Sequence, residues 1–259
     1  MSSDAIGHEV LVDQLRALGV GEGDTLLVHT SFRAVGPVDG GPSGLIAALR
    51  AAIGSGGTLV MPSWSGNADV PFDPAESPAA ASLGIVAETF RRMPGVRRSD
   101  HCQAFAAIGP RAVAIVADPL PIPPHIPASP VGRVHDADGK VLLLGVGHRN
   151  DTMLHLAELI AGVPYRVPMH CTVLRDGRPV RIDYGENDHC CTRFAFADDW
   201  LRAEGLQREG TVGRAHARLA RARVIVRLAA ARLAEDRLLF LHPAGAGCAD
   251  CDAARASIP

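Results

Sequence analysis

Residues 140–158 read KVLLLGVGHRNDTMLHLAE, and the stretch contains the three parts of an α/β unit in order. KVLLLGVG (140–147) is a short, continuous apolar run of the kind that forms a strand buried on both faces. HRND is a polar turn. The segment that follows has helical periodicity and carries a histidine, His155, with acids four positions before it and three after it, Asp151 and Glu158. On a helix these three share a face, so either carboxylate can approach the imidazole. A carboxylate on one ring nitrogen fixes the tautomer and raises the basicity of the other nitrogen.

The same alternation extends in both directions. HEVLVDQLRALG (8–19) is a helix ending at glycine, and TLLVH (25–29) is a buried strand. PSGLIAALRAAI (42–53) starts on proline, stops at GSGG and leads into strand TLVMP (58–62). After a loop rich in Pro, Ser and Asp come helix SLGIVAETFRRM, strand QAFAAIG (103–109), helix 110–117 and the proline-rich segment 119–130, the best candidate for a connector. CTVLRDGRPVRIDY (171–184) is a hairpin turning at Asp-Gly. From 192 onward the chain reads as largely helical until a strand, RLLFL (237–241). The expected fold is therefore α/β: a mixed, mainly parallel central sheet with flanking helices and an antiparallel hairpin, built as one domain over residues 1–259.

The 259 residues are 47% hydrophobic and 21% charged, enough for a full core, and 26 basic against 28 acidic residues leave a net charge of −2. No overall field recruits nucleic acid or an anionic membrane. Nearly all the cations are arginine, Lys140 being the one lysine. The first ten residues, MSSDAIGHEV, lack the basic and apolar regions of a secretion signal, and no apolar run nears the roughly 20 residues needed to span a bilayer. A cytoplasmic location is expected. Six cysteines in such a chain favour thiol or metal chemistry over a disulfide framework. The tail CADC (248–251) has zinc half-site spacing, and Cys190 and Cys191 are the obvious remote half, with His170, Cys171, His189 and His242 as further candidates. A closed structural zinc site holding the C-terminal tail is expected from Cys190, Cys191, Cys248 and Cys251.

Ligands of open α/β sheets bind at strand-terminal loops, which directs attention to HTSFRAVG (29–36) and PSWSGN (62–67). The first can offer backbone N–H groups and Arg33 to a pyrophosphate. GSGG lacks the lysine of a P-loop, and QREGTV (207–212) has Val212 where a phosphate-cradling loop needs a small residue; both are set aside. Acids gather in loops at Asp69, Asp73 and Glu76, and again at Asp183, Glu186 and Asp188. They flank the proposed ligand edge and suit a polycation, whereas Asp198 and Asp199 read as a plain helix surface.

In this order, LLVHTSFRAVG, GTLVMPSWSG, FDP, HCQAFAAIGP, SPVGRVHDADGKVLLLGVGHRNDTMLHLAE and YGENDHCC resemble the aminoglycoside 3-N-acetyltransferases over nearly the whole chain. YGENDHCC and the tail HPAGAGCADCDAAR are most similar to the class four enzymes, which act on apramycin, gentamicin and tobramycin. The resemblance implies acetyl transfer from acetyl-CoA to the 3-amine of the 2-deoxystreptamine ring, within the antibiotic N-acetyltransferase fold. It places Ser31, Phe32, Arg33 and Gly36 at the coenzyme, and His155 as base in a Thr-x-x-His-x-x-Glu turn matched by Thr152 and Glu158. The charge that develops on the thioester oxygen needs donors, for which the 31–36 loop and Ser63, also counted at the coenzyme, lie in the expected region. The cationic acceptor would meet Asp69, Asp73, Glu186 and Asp188. Direct transfer in a ternary complex is expected, because no Cys-His nucleophile setting is evident in the sequence. Asp151 departs from the family pattern and leaves open which acid orients His155; Cys102 after His101 departs too and has no reading. A related acetyltransferase of another amine and a zinc amidohydrolase are the competing functions, and a drug-sequestering protein is a third. The partners are small molecules, with a monomer or homodimer as the assembly.

Overall fold

The computed structural model describes residues 4–117 and 122–259. Residues 119–121 of the proline-rich connector lie outside the described residues. Five strands build the first part of a sheet: β1 (Thr25–Thr30), β2 (Thr58–Pro62), β3 (Arg97–Arg98), β4 (Phe105–Ile108) and β5 (Lys140–Leu144). β6 (Val167–Arg175) and β7 (Arg178–Glu186) form a separate hairpin, and β8 (Gln207–Val212) and β9 (Ala215–Arg221) return to the sheet. The helices in chain order are α1 (His8–Leu18), α2 (Phe32–Val35), α3 (Gly41–Ile53), α4 (Gly84–Arg91), α5 (Ala112–Val116), α6 (Pro130–Asp136), α7 (Met153–Ala161), α8 (Phe196–Ala203), α9 (Ala222–Glu235) and α10 (Ala249–Ala256).

Strand order in the seven-stranded sheet is β3-β4-β2-β1-β5-β9-β8. β2, β1 and β5 run parallel at its centre, and antiparallel strands flank them on both sides. Side chains of the central strands alternate between two cores, as a pleated strand requires. Leu27, Val60, Val141 and Leu143 join α5, α6, α7, α9 and α10 on one face. Leu26, Val28, Leu59, Met61, Leu142 and Leu144 join α1, α3 and α4 on the other. This covering of both faces explains why these strands read as continuous apolar runs.

Two expectations fail between 192 and 241. The segment read as helical holds β8 and β9, and QREGTV, set aside as a loop, is the edge strand of the main sheet. Its neighbour AHARLAR alternates buried Ala215, Ala217 and Leu219 with polar residues, but alanine and arginine carry little strand preference, so the pattern is hidden. RLLFL (237–241) is no strand. Its N–H groups are used in turns: Leu238 N–H donates to Asp236 Oδ1 at 2.9 Å and Leu241 N–H to the Leu238 carbonyl at 2.9 Å.

The hairpin turns at Asp176 and Gly177, both at positive φ (50° and 73°), the pairing that a two-residue turn matching strand twist demands. It is stitched to the loop after β2, where Phe72 N–H donates to the Thr172 carbonyl (2.8 Å) and Thr172 N–H to the Ala68 carbonyl (2.9 Å). Phe72 and Val173 are fully buried there in a small satellite core. Among the described residues no helix is long and apolar enough to cross a membrane.

Candidate active site

At the C-terminal ends of β1, β2 and β5 opens a cavity of about 850 Å³. Its walls include His29, Thr30, Ser31, Phe32 and Arg33 after β1, Met61, Pro62 and Trp64 after β2, and Val146 and Asn150 after β5. α7 closes one side with His155, and the hairpin contributes Met169, Tyr184 and Glu186, followed by Asp188 and Cys191. Placing a ligand where parallel strands end follows the general rule for open α/β sheets.

α7 begins on Asp151, whose Oδ1 accepts the Met153 N–H at 3.0 Å, and ends at Gly162 in the left-handed region. Most of its side chains enter the core, and His155 turns to the cavity. The His155 Nδ1 lies 3.0 Å from Glu158 Oε2. Glu158 is wholly buried and accepts three further hydrogen bonds: from the Tyr165 hydroxyl, from His189 Nε2 at 2.7 Å and from Asn187 Nδ2 at 2.9 Å. Burial alone would push this carboxyl up, yet the His155 and His189 bonds bring it down to about 2. Glu158 is therefore an anion that holds the Nδ1 proton of His155 and leaves Nε2 as the basic nitrogen. Burial disfavours the His155 imidazolium, but the neighbouring Cys191 and Glu158 outweigh it and hold the pKa well above the ordinary histidine value.

Asp151 has a different task. Its Oδ2 meets His148 Nδ1 at 2.9 Å, beneath the cavity floor, so Glu158 and not Asp151 orients His155. Thr152 of the family turn places Oγ1 3.3 Å from His29 Nε2. His29 is neutral near pH 7, because burial pulls its pKa down to about 4. His125, from the proline-rich connector, stacks on His155 at a ring separation of 4.9 Å and puts Nδ1 3.3 Å from Glu186 Oε1.

Of the coenzyme residues expected from sequence, Ser31, Phe32 and Arg33 line the cavity. Gly36 lies outside its wall, against the Arg214 side chain, and Ser63 is fully buried behind it. Of the four acids expected to meet a cationic acceptor, Glu186 and Asp188 are in the wall. Asp69 is exposed on the outer loop and bonded to His170 (2.7 Å), and Asp73 caps its own loop through the Ala75 N–H (2.7 Å). Burial raises the Asp188 pKa, as does nearby Glu186. Glu186 Oε2 has no partner among the described residues although the residue is buried. Two carboxylates in that state suit a ligand that brings positive charge.

The cysteines separate into three groups. Cys190, Cys248 and Cys251 gather with His242, their ligand atoms all within 4.8 Å of one another. Cys191, expected in this set, turns away: in a left-handed backbone conformation (φ 57°) it points Sγ at His155 Nε2, 3.4 Å away. The Cys190 and Cys251 sulfurs are 3.7 Å apart, with His242 Nδ1 3.4 and 3.5 Å from them. Tetrahedral zinc with Zn–S bonds of about 2.3 Å needs sulfurs about 3.8 Å apart, so the donors fit that ion. His155, His189 and Cys191 also cluster, but His189 Nδ1 accepts the Cys191 N–H (3.0 Å) and its Nε2 proton goes to Glu158, so this ring has no lone pair for a metal.

Sequence reasoning names none of His29, His125, Tyr184, Asn187 and His189 as a member of this site. His29 and His125 come from separate segments, while Tyr184, Asn187 and His189 lie within YGENDHCC, where the neighbouring acids and cysteines drew the attention.

Residues 27–234 match the family model described as aminoglycoside 3-N-acetyltransferase. The chain is 63% identical over 237 residues to aminoglycoside N(3)-acetyltransferase IV of Salmonella sp, covering 92% of this chain and 91% of that protein. The structure is similar to a crystal structure of a histidine-to-alanine mutant of aminoglycoside acetyltransferase AAC(3)-IVa in complex with a gentamicin, at TM-score 0.97 and 61% identity with full coverage of both chains. It is also similar to AAC-IIIb in a binary complex with CoASH, at TM-score 0.81 and 28% identity, covering 89% of this chain and 97% of that one.

Proposed function

Because the chain belongs to the aminoglycoside 3-N-acetyltransferase family, we propose that it carries acetyl from acetyl-CoA to the 3-amine of a 2-deoxystreptamine ring by direct transfer in a ternary complex, with His155 as base. The observation that carries this reading is the His155 ring in the cavity wall, its Nδ1 fixed on the anionic Glu158. An aminoglycoside amine is mostly an ammonium at neutral pH and cannot attack a thioester in that form. Nε2 takes its proton and releases it to solvent, the free amine attacks the acetyl carbon, and Nε2 takes the second proton from that nitrogen as the tetrahedral intermediate collapses with loss of the coenzyme thiolate. That thiolate then recovers the proton as CoASH. A base with a pKa raised toward that of its substrate amine is matched to this task.

Ser31, Phe32 and Arg33 are the proposed coenzyme wall, with Arg33 facing phosphate. Glu186 and Asp188 are the proposed contacts for the cationic rings, and gentamicin and apramycin the proposed acceptors. Cys190, His242, Cys248 and Cys251 would hold structural zinc, which supplies a covalent-strength tie between the chain's tail and the 187–191 segment and no reaction chemistry. A cytoplasmic site of action belongs to the same reading, since the acetyl donor is an intracellular metabolite.

The 3.4 Å contact between Cys191 Sγ and His155 Nε2 supports a second reading, in which acetyl passes first to that sulfur. Direct transfer asks less of the site, because Cys191 Sγ also lies 3.2 Å from the His189 carbonyl oxygen, which crowds the sulfur that would have to attack. The test is to follow CoA release with gentamicin and apramycin in the wild type, His155→Ala and Cys191→Ala. Direct transfer expects His155→Ala to lose roughly 10²–10⁴-fold in kcat, Cys191→Ala to keep turnover, and enzyme mixed with acetyl-CoA alone to carry no acetyl by intact mass. Acetyl on Cys191 would establish the covalent route, and near wild-type turnover in His155→Ala would overturn both.

A further inference from the structure

His101, Cys102 and Cys171 form a second cluster, outside the cavity and outside the four-residue metal set. All three are buried, at 1%, 5% and 0% exposure, and their ligand atoms lie within 4.8 Å of one another. Cys102 comes from the loop ahead of β4, and Cys171 from the middle of β6. Their sulfurs belong to the satellite core that Phe72, Ala104 and Val173 share under the hairpin.

The set has the composition of a three-ligand metal site, yet its hydrogen bonds argue otherwise. The Gln103 N–H donates to His101 Nδ1 at 2.8 Å, which requires a lone pair on that nitrogen. A neutral imidazole then carries its proton on Nε2, the atom 3.9 Å from Cys171 Sγ. A metal-bound histidine has the reverse arrangement, with the distant nitrogen donating to a carbonyl or carboxylate. Nε2–H here is a donor aimed at sulfur. It favours a thiolate on Cys171, as does the Cys102 thiol beside it. Hydrogen bonding from Cys102 is the chief cause that draws Cys171 below the usual thiol range, and the same contact pushes Cys102 up. One sulfur is thus prepared as nucleophile and the other keeps its proton, the division of roles found in thiol pairs that form disulfides.

We propose that Cys102 and Cys171 are a thiol–disulfide site, closed by a small hydroperoxide and reopened by thiols, which covalently ties the β6–β7 hairpin to the loop ahead of β4. The Cys171 thiolate attacks one peroxide oxygen, the O–O bond breaks, and the departing hydroxide takes a proton to leave a sulfenic acid. Cys102 sulfur then attacks the Cys171 sulfur. The S–S bond forms, the S–O bond breaks, and the Cys102 proton leaves with the hydroxide as water. In total two thiols lose two electrons, and hydrogen peroxide, the smallest such oxidant, becomes two waters. Burial restricts the oxidant to molecules near the size of water, and the cavity wall is immediately adjacent. Tyr184 packs edge-on against His101 with ring centroids 5.8 Å apart, and both Tyr184 and the adjacent Gln103 line the cavity. Closing the bond therefore fixes a wall of the cavity as well as the hairpin.

The experiment treats the full-length, metal-loaded protein with hydrogen peroxide, removes the excess with catalase, alkylates free thiols in denaturant and maps the peptides by mass. The expected result is loss of two hydrogens, a cross-linked Cys102–Cys171 peptide and full reversal by dithiothreitol. In Cys102→Ala the expected product is a Cys171 sulfenic acid trapped by dimedone. The proposal is overturned if both peptides emerge alkylated, if the only disulfides join Cys190, Cys248 and Cys251, or if wild-type Cys171 runs on to the sulfinic acid. Two equivalents of bound zinc with these thiols protected would overturn the tautomer assignment and the proposal with it. Each readout is a mass or a metal count, so none depends on acetyl transfer.

Discussion

A neutral imidazole has two nitrogens and one proton, and around this cavity the neighbours of each histidine decide where that proton sits. His155 keeps it on Nδ1, facing Glu158, whereas His189 keeps it on Nε2, facing the other oxygen of the same carboxylate. His148 meets acceptors on both sides, Asp151 Oδ2 at 2.9 Å and Gln207 Oε1 at 2.7 Å, and the amide is fixed because its nitrogen donates to Asp198 and Glu209. Burial opposes a charge there, but Asp151 raises the His148 pKa regardless, so that ring is a buried cation tied to a buried anion. Glu158 and Asp151 then differ in what their loss should do. Glu158→Gln keeps the shape but removes one of the two groups, with Cys191, that hold His155 up, so the acid limb of kcat/KM should move to lower pH while kcat falls; an unmoved limb would remove Glu158 as the positioning residue. The same anion sets an acid-stability window. Its pKa is depressed in the folded state, so its contribution is complete above about 4.5 and is lost as pH falls toward about 2. At about 1.4 kcal/mol per pKa unit the effect is on the order of 3 kcal/mol. Urea midpoints measured from pH 5 to pH 2 should fall for the wild type and flatten for Glu158→Gln. His155 and Glu158 were legible in sequence because three residues on a helix put them on one face. Tyr165, Asn187 and His189, which complete the hold on Glu158, come from other segments, and no local period marks them.

At the scale of elements, the β6–β7 hairpin and the segment that follows it supply the charge of the site. Glu186 ends β7 and Asp188 lies two residues beyond, so both carboxylates reach the cavity from one rigid element. Asp69 and Asp73 sit in the loop zipped to that hairpin, but their side chains are spent on His170 and on the loop's own N–H groups. Acidity was visible in the sequence, whereas the direction of each side chain depended on a strand pairing that was not. Glu186→Gln and Asp188→Asn should each raise KM for gentamicin by about ten-fold or more, with a smaller change in kcat, the scale of one charge-assisted contact. Equal loss in kcat would show that these acids act on the transition state instead. Arg33→Ala should do the opposite, raising KM for acetyl-CoA with drug affinity unchanged. The elements legible in advance were those with strong apolar periodicity: α1, α3, β1, β2, β5 and α7. β8 was missed because it is the edge strand, where arginine and glycine suffice, and β9 because its buried positions are mostly alanines set among arginines, which carry little strand signal. RLLFL misled for the converse reason, since apolar content alone does not supply a strand partner.

Across the whole molecule, the two ends of the 187–191 segment are held by different chemistry. On one side Asn187 and His189 grip Glu158 from within the apolar core of α7 and α9. On the other, Cys190 reaches His242 and Cys251, which belong to the last turns of the chain and to α10. α10 also packs Cys251 and Ala254 into the main core, and Arg255 donates to the His242 carbonyl, so the tail has contacts of its own without a metal. The sheet does not depend on these ligands, and removing a metal should loosen the tail and the 187–191 segment without unfolding the body. Metal analysis should accordingly find about one zinc per chain, absent from the Cys248→Ser, Cys251→Ser double variant. That variant should retain the far-ultraviolet circular dichroism of the wild type, melt several degrees lower, and turn over more slowly because Asn187 and His189 no longer hold Glu158 firmly. Full zinc content in the double variant would move the metal elsewhere. Zinc loss with unchanged melting and turnover would mean that the ion occupies the site without tying the tail to the 187–191 segment, and the apolar packing of α10 would then be sufficient to hold it.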